Sequence, residues 1–199
     1  MFVVLKVFII ILVSLNYYTF IPQKEISFMK IILVGYMASG KSTIGKLLSE
    51  SFYVPFYDLD DLIENNLNLK INEIFEHKGE LFFRKKEREV LMEFLNSTDN
   101  YVLALGGGTP CYYDNFELYQ SESIHSVYLK ASISTLLERL HSQKASRPIV
   151  SRFNEEELQE FVAKHLFERS YFYHQVKTIV SIDNKKESEI VSEIVSKLA

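Results

Sequence analysis

Residues 35–43, GYMASGKST, constrain the fold of this chain more than any other segment. They match the pattern G-x-x-x-x-G-K-[ST], follow a β-branched run at 30–34 and precede an amphipathic stretch at 41–51. A strand, a glycine loop and a helix in this order surround a phosphate with backbone N–H groups and a helix N-terminus. The segment therefore predicts a βαβ protein that binds the phosphates of a nucleotide.

The side chains of this loop have distinct expected roles. Gly35 and Gly40 permit backbone conformations that a Cβ would disfavour. Lys41 is expected to reach the β- and γ-phosphates, and Ser42 is expected to ligate Mg²⁺. The residues expected to contact the nucleotide are Ala38, Ser39, Gly40, Lys41, Ser42 and Thr43. A chance match in a structural loop is the alternative, and the correct elements on both flanks argue against it.

Short β-branched runs alternate with amphipathic stretches along the rest of the chain, as is typical of a buried parallel sheet with helical crossovers. Strands are predicted at 30–34, 54–58, 101–105, 126–129 and 178–182. Helices are predicted at 41–51, 61–66, 71–77, 80–95, 115–120, 133–141, 155–173 and 186–198. Open parallel sheets bind ligands at the carboxyl ends of their strands, so the chemistry is expected at 35–43, 58–60 and 106–108.

The segment FYDLDDLIE places Asp58 and Asp60 directly after the second predicted strand. We expect Asp58 and Asp60 to lie on an extended segment and to point in different directions, one towards a metal ion and the other towards a second ligand. Capping of the next helix by Asp60 or Asp61 is the alternative, and it is compatible with either role.

The segment GELFFRKKERE predicts a helix on which Glu80, Phe83, Arg84 and Glu87 share one face. In one interpretation, Arg84 and Glu87 form a surface ion pair that contributes little to stability. In the other, Glu87 holds the guanidinium group towards a carboxylate ligand, a task that suits the planar fork of arginine. These residues alone do not decide between the two interpretations.

Three consecutive glycines, Gly106, Gly107 and Gly108, follow the third predicted strand. Consecutive glycines lower stability because the unfolded chain loses more entropy on folding. Close approach of the backbone to a ligand would account for them, and a flexible turn is the alternative.

Two further arginines lie in the C-terminal half. Residues 142–154 lack apolar periodicity and predict an exposed, mobile loop, on which Arg147 precedes Pro148 in an extended conformation. A cation on such a lid is suited to stabilise the charge of a phosphoryl group in transfer. Arg169 lies near the end of a long predicted helix, where interaction with the helix dipole is the structural alternative.

Charge and cysteine content argue against a nucleic-acid-binding protein and against a disulfide-stabilised one. A net charge of −4 gives no electrostatic reason to expect nucleic-acid binding. The single cysteine, Cys111, excludes an internal disulfide and is typical of a reducing compartment, so a cytoplasmic location is expected.

The first 28 residues are strongly apolar, but Lys6 interrupts them. The uninterrupted run at 7–13 is shorter than the about 20 apolar residues of a membrane span. A signal or anchor segment is one interpretation. The favoured one is a start assigned too early, with a single domain at 29–199 that begins at Met29, and no membrane partner is expected.

Six segments together resemble shikimate kinase, in the same order and spacing across 29–199: GYMASGKSTIGKLL, FYDLD, GELFFRKKE, LALGGGT, RPIV and ERSYFY. The resemblance implies a three-layer α/β/α P-loop kinase with a five-stranded parallel sheet, a helical substrate-binding segment and a mobile lid. It implies the use of ATP and Mg²⁺ to phosphorylate the 3-hydroxyl of shikimate, on the route to chorismate and aromatic amino acids. A monomer is expected.

The resemblance also implies roles for individual residues. Asp58 lies near Mg²⁺, while Asp60 binds the hydroxyls of shikimate and helps to activate the nucleophile. Arg84 and Arg169 clamp the substrate carboxylate, and Arg147 reaches across the phosphates. The residues with implied catalytic roles are Lys41, Asp60 and Arg147. The other implied substrate contacts are Gly106, Gly107, Gly108, Phe75 and Phe83, and Arg139 is the nearest candidate for an arginine that contacts adenine.

Two departures from the family pattern and two rival functions remain. Ala38 stands where many members have glycine, and the apolar extension at 1–28 has no counterpart in a typical member. Another small-molecule kinase of this fold, acting on gluconate or a nucleotide, is one rival. A nucleotide-binding module without transferase activity is the other, although it would not need the acidic and basic residues expected to bind an acceptor.

Overall fold

A computed structural model describes residues 29–142 and 153–198, and its strands form one parallel sheet. The strands are β1 (Lys30–Val34), β2 (Phe56–Asp58), β3 (Tyr101–Ala104), β4 (Ile124–Lys130) and β5 (Thr178–Ser181). Their order in the sheet is β2-β3-β1-β4-β5. Each predicted strand is present, with ends shifted by one or two residues in four of the five. The predicted five-stranded parallel sheet is therefore confirmed.

Five of the six α-helices described lie between strands, and the sixth follows β5. They are α1 (Lys41–Phe52), α2 (Leu59–Leu67), α3 (Ile71–Ser97), α4 (Ile133–Ser142), α5 (Glu155–Tyr173) and α6 (Glu187–Leu198). Short 3₁₀ turns at Thr109–Cys111 and Asn115–Tyr119 follow β3, the second where an α-helix was predicted at 115–120. None of the helices in the described part of the chain is both long and apolar enough to span a membrane.

The central strands β1 and β3 are buried on both faces, which explains their continuous apolar sequences. Helix α1 packs against β3 and α6, and α4 packs against α5. A Cβ added at Gly45 of α1 would overlap the ring of Phe56 in β2, so the glycine allows the helix to lie close to the sheet.

Helix α3 contains a break at Gly79, whose φ of 78° and ψ of 171° are not helical. The break agrees with the two helices predicted at 71–77 and 80–95, and it lets the two parts of α3 run in different directions. The second part carries Glu80, Phe83, Arg84 and Glu87.

The strand register brings three chain segments to one edge of the sheet. Leu33 of β1 and Asp58 of β2 both pair with Ala104 of β3, so these strands end at nearly the same level. The residues that follow them, 35–43, 58–60 and 106–108, are the three segments where the sequence predicts chemistry. The predicted lid at 142–154, with Arg147, lies almost entirely outside the described residues.

Candidate active site

The phosphate loop between β1 and α1 is held by its own lysine. Lys41 Nζ donates to the carbonyl oxygens of Gly35 and Tyr36, at 2.9 and 3.0 Å. Gly40 caps the helix with φ 89°, a left-handed conformation that glycine adopts at little cost. The amino group therefore lies over the loop that is expected to enclose the phosphates.

Ala38 adopts the left-handed conformation as well, with φ 64°. A non-glycine residue there costs about 1–2 kcal/mol, so the departure from glycine at this position introduces backbone strain. The carbonyl oxygen of Ala38 accepts a hydrogen bond from Arg139 Nη1 at 3.3 Å. Arg139 thus lies against the phosphate loop.

Ser42 and two aspartates form a small oxygen cluster next to the loop. Ser42 Oγ donates to Asp58 Oδ2 at 2.8 Å, and the backbone N–H of Asp60 donates to Asp58 Oδ1 at 3.1 Å. Asp58 is the N-cap of α2, so the expectation that Asp60 or Asp61 caps the helix is wrong. The expectation of an extended segment is wrong for Asp60, because the capped helix begins at Leu59 and Asp60 lies in its first turn. Side chains two residues apart on an extended strand would also have shared a face, so extension would not have separated the two carboxylates.

One cavity of about 430 Å³ connects the nucleotide loop to these acids. It is lined by residues 37–44 of the loop, by Asp58 and Asp60, by Gly106 and Gly107, and by Arg139. The structure therefore brings the predicted nucleotide residues, the predicted metal ligands and part of the predicted substrate site into a single space.

The carboxyl of Asp60 is unusual in this cavity. Burial, followed by the negative charges of Asp58 and Glu87, raises the pKa of Asp60 to about 6, although Lys41 and Arg84 act in the opposite direction. A carboxyl with such a pKa can gain and lose a proton near neutral pH, which an ordinary aspartate cannot.

Arg84 is held by a buried ion pair rather than a surface one. Its Nη1 donates to Glu87 Oε2 at 3.0 Å, and Glu87 is fully excluded from solvent. The second oxygen of Glu87 accepts from Thr109 Oγ1 at 2.6 Å, and Glu80 Oε1 accepts from Arg84 Nε at 3.3 Å. Burial acts to lower the pKa of Arg84, but interactions with Glu87 and its other neighbours outweigh that effect. The pKa is raised overall, so the guanidinium stays charged.

Two of the three glycines after β3, Gly106 and Gly108, are required by neighbouring side chains, whereas a Cβ at Gly107 would lie 3.3 Å from the backbone nitrogen of Met37. A Cβ at Gly108 would lie 2.7 Å from Arg84 Nη2, and one at Gly106 would lie 2.9 Å from Thr109 Oγ1 and 3.2 Å from Asp60 Oδ1. None of the three has a positive φ, so a turn that needs glycine conformations does not explain them. The glycines instead let Arg84 and Asp60 lie against the backbone.

Arg169 reaches the same turn from α5. Its Nη1 donates to the carbonyl oxygen of Gly107 at 3.4 Å, and the hydroxyl of Tyr173 donates to the same oxygen. The guanidinium lies 5.7 Å from the ring centroid of Tyr36, whose hydroxyl is 3.2 Å from His165 Nδ1. Arg84 and Arg169 therefore both lie against the same glycine turn.

Aromatic rings surround Arg84. Its Cζ lies 5.0 Å from the ring centroid of Phe83, 6.0 Å from that of Phe75 and 4.2 Å from that of Tyr112, and the two phenylalanine rings are 4.5 Å apart. Phe75 and Phe83 were expected in the site. Sequence reasoning missed Tyr36, Thr109 and Tyr173, although each lies within one of the six quoted segments, and it missed Tyr112, which lies in none of them. Arg147 lies outside the described residues.

Comparisons with known proteins agree on one family. A sequence model described as shikimate kinase matches residues 37–199. A shikimate kinase of Flavobacterium psychrophilum is 52% identical over 165 residues, which cover 83% of this chain and 96% of that protein. A crystal structure of shikimate kinase from Bacteroides thetaiotaomicron matches with 35% identity and a TM-score of 0.78, over 85% of this chain and 96% of its own. A shikimate kinase from Acinetobacter baumannii in complex with shikimate matches with 28% identity and a TM-score of 0.78, over 89% of this chain and 97% of its own.

Replacement of Glu87 tests the buried ion pair. Glu87→Ala leaves the Arg84 guanidinium buried without its partner, so we expect a loss of about 3–5 kcal/mol in the free energy of unfolding. Glu89→Ala is the matched control, because Glu89 pairs with Lys86 on the exposed face of the same helix. It should change stability by less than about 1 kcal/mol in the same denaturant titration. Equal effects of the two variants would contradict the buried pair.

Replacement of Asp60 tests its raised pKa through stability. Because the pKa of Asp60 rises to about 6 on folding, the folded state binds more protons between pH 4 and 6. Ionisation of Asp60 therefore lowers the free energy of unfolding. This loss develops as pH rises from about 4 to about 6 and remains above pH 6. Asp60→Asn should be more stable than the parent at pH 8, by up to about 3 kcal/mol, and the difference should shrink at pH 5. A variant that is less stable at pH 8 would refute the assigned environment.

Proposed function

Because this chain belongs to the shikimate kinase family, we propose that it transfers the γ-phosphoryl group of ATP to the 3-hydroxyl of shikimate. The observation that carries this proposal is the single cavity in which the phosphate loop, Asp60 and the glycine turn meet. Arg84 and Arg169 contact the same turn, so two fixed cations lie next to the space where an acceptor would bind.

The nucleotide is assigned to the loop end of the cavity. The N–H groups at the start of α1 and the amino group of Lys41 supply the positive field that polyphosphate requires. Lys41 would exchange its contacts with Gly35 and Tyr36 for phosphate oxygens. The cavity wall that does not belong to the loop includes Arg139, Glu187 and Ile190, and we assign the adenine base to this wall.

The residues next to the loop fit a magnesium ion. The Ser42 hydroxyl and the Asp58 carboxylate supply oxygen ligands 2.8 Å apart, the type that Mg²⁺ prefers. Within 29–142 and 153–198, no three acidic, histidine or cysteine side chains form a site of their own for a metal. Ser42 and Asp58 would therefore hold the ion together with phosphate oxygens and water. When bound, the ion neutralises charge on the phosphates.

The acceptor is assigned to the glycine turn. The Nη2 edge of Arg84 and the guanidinium of Arg169 would bind the substrate carboxylate, and Phe75 and Phe83 would form an apolar wall. Asp60 would accept hydrogen bonds from the ring hydroxyls. A planar carboxylate and a face of hydroxyls are the features that distinguish shikimate from a nucleotide acceptor.

The reaction follows from this arrangement. The 3-hydroxyl oxygen of shikimate forms a bond to the γ-phosphorus, and the bond from that phosphorus to the β–γ bridging oxygen breaks. The hydroxyl proton passes to the Asp60 carboxylate, whose pKa of about 6 suits a transient acceptor. Most of the catalysis comes from positioning and charge stabilisation by Lys41. Arg147 is proposed to complete the positive charge from the lid.

We also propose that the protein works as a monomer in the cytoplasm. The described residues form one sheet, and the phosphate loop, Asp60 and part of the glycine turn line one cavity. Arg84 and Arg169 of the same chain contact that turn, so no second subunit is needed to complete the site. Burial raises the pKa of the Cys111 thiol to about 11, which makes it an unreactive residue of the domain.

Turnover with different acceptors tests the function. The full chain with MgATP should release ADP when shikimate is added, and not with gluconate or AMP. AMP has no carboxylate for the pair of arginines, and gluconate is an open chain that does not hold its hydroxyls in a ring next to Asp60. A coupled ADP assay measures this. Excess EDTA should abolish turnover. Equal rates with gluconate or AMP, or none with shikimate, would overturn the proposal.

Two variants in α5 test the assignment of Arg169 to substrate binding. Arg169→Ala should raise the KM for shikimate by about 30-fold or more and change the KM for ATP by less than about threefold. Lys164→Ala removes an exposed cation from the same helix and should leave both constants unchanged. Equal effects on both substrates in Arg169→Ala would contradict its assigned role.

A further inference from the structure

Tyr112 lies directly on the arginine that is assigned to the substrate carboxylate. The Cζ atom of Arg84 is 4.2 Å from the ring centroid of Tyr112, closer than it is to Phe83 or Phe75. At this distance a guanidinium over a tyrosine face is attracted by the ring and also packs against it.

The hydroxyl of Tyr112 closes a small network around the same arginine. It donates to Glu80 Oε1 at 2.8 Å, and that oxygen also accepts from Arg84 Nε at 3.3 Å. Glu80 is half exposed, so its side chain would have several conformations available without a second partner. Tyr112 therefore fixes both the face of the guanidinium and the carboxylate on its Nε edge.

The contacts leave one edge of Arg84 for a ligand. Nε donates to Glu80 and Nη1 donates to Glu87. Nη2 has no hydrogen-bond acceptor among the described residues, and it lies 2.7 Å from the position that a Cβ of Gly108 would take. Since a guanidinium is planar, fixing its face and two of its nitrogens also fixes the direction of the third.

The loop that carries Tyr112 is itself attached to α3. The buried amide of Asn115 donates to the carbonyl oxygen of Thr109 at 2.9 Å. Arg88 Nη1 donates to Asn115 Oδ1 at 3.1 Å and to the carbonyl oxygen of Tyr113. These contacts hold residues on both sides of Tyr112, so its position over Arg84 does not depend on its own side chain alone.

We propose that Tyr112 is a positioning residue that aims the Nη2 edge of Arg84 at the substrate carboxylate. The inference rests on the proposed function, because it takes the anionic acceptor from there. Tyr112 acts through Arg84 and need not touch the acceptor. Its ring and its hydroxyl contribute separately, the ring by covering the guanidinium and the hydroxyl by holding Glu80.

Three variants separate these contributions in steady-state kinetics with the full chain. Tyr112→Leu removes ring and hydroxyl, and it should raise the KM for shikimate about tenfold while the KM for ATP changes by less than about twofold. Tyr112→Phe keeps the ring and should raise the KM for shikimate by only about threefold. Tyr113→Leu is the matched control, since the neighbouring side chain is exposed, and it should leave both constants unchanged.

A double-mutant cycle with Arg84→Ala tests whether Tyr112 acts through the arginine. Tyr112→Leu should have almost no further effect on kcat/KM for shikimate once Arg84 is removed. A full, additive effect in that background would overturn the inference. So would an unchanged KM for shikimate in Tyr112→Leu, or equal changes in both Michaelis constants together with a lowered Tm, which a merely structural role would produce. Turnover of shikimate by the parent separates the two proposals. If the parent does not turn over shikimate, the proposed function fails. If it does, the outcomes above overturn only the role of Tyr112.

Discussion

The buried ion pair between Arg84 and Glu87 is the interaction on which the acceptor side of this site depends. Glu87 is fully excluded from solvent and uses its second oxygen to accept from Thr109, so it joins α3 to the turn after β3. A buried pair of this kind is weak as a source of stability, because desolvation offsets most of the attraction. The role of this pair is to hold the charged guanidinium of Arg84 against the glycine turn.

The same charges shape the chemistry of the neighbouring cavity. Asp60 is partly buried close to Asp58 and Glu87, and its raised pKa reflects a carboxylate that the fold does not favour in its charged form. Ala38 adds backbone strain in the phosphate loop. Both features lower stability at residues assigned to binding or proton transfer, a relation that is common where activity requires an unfavourable environment. Burial of the apolar sheet, in which β1 and β3 are covered on both faces, offsets these losses of stability.

The sequence predicted the sheet, the phosphate loop and the break at Gly79, because each is specified by a local pattern of glycines and apolar residues. The helical position of Asp60 was not predicted, since capping by Asp58 starts α2 two residues earlier than expected. The reason for the glycine turn was also not predicted, because it depends on side chains from α2 and α3. Tyr112 and Arg84 lie 28 positions apart and meet only through the path of a loop without regular pattern.

The central claim is that Arg84, aimed by Glu87 and its neighbours, selects an acceptor by its carboxylate. Calorimetric titration of the parent and Arg84→Ala, with shikimate and with an analogue that lacks the carboxylate, measures this directly. If Arg84 has this role, the parent binds shikimate at least about tenfold more tightly than the analogue, and Arg84→Ala loses most of this preference. Equal affinity of the parent for both compounds, or an undiminished preference in Arg84→Ala, would contradict it.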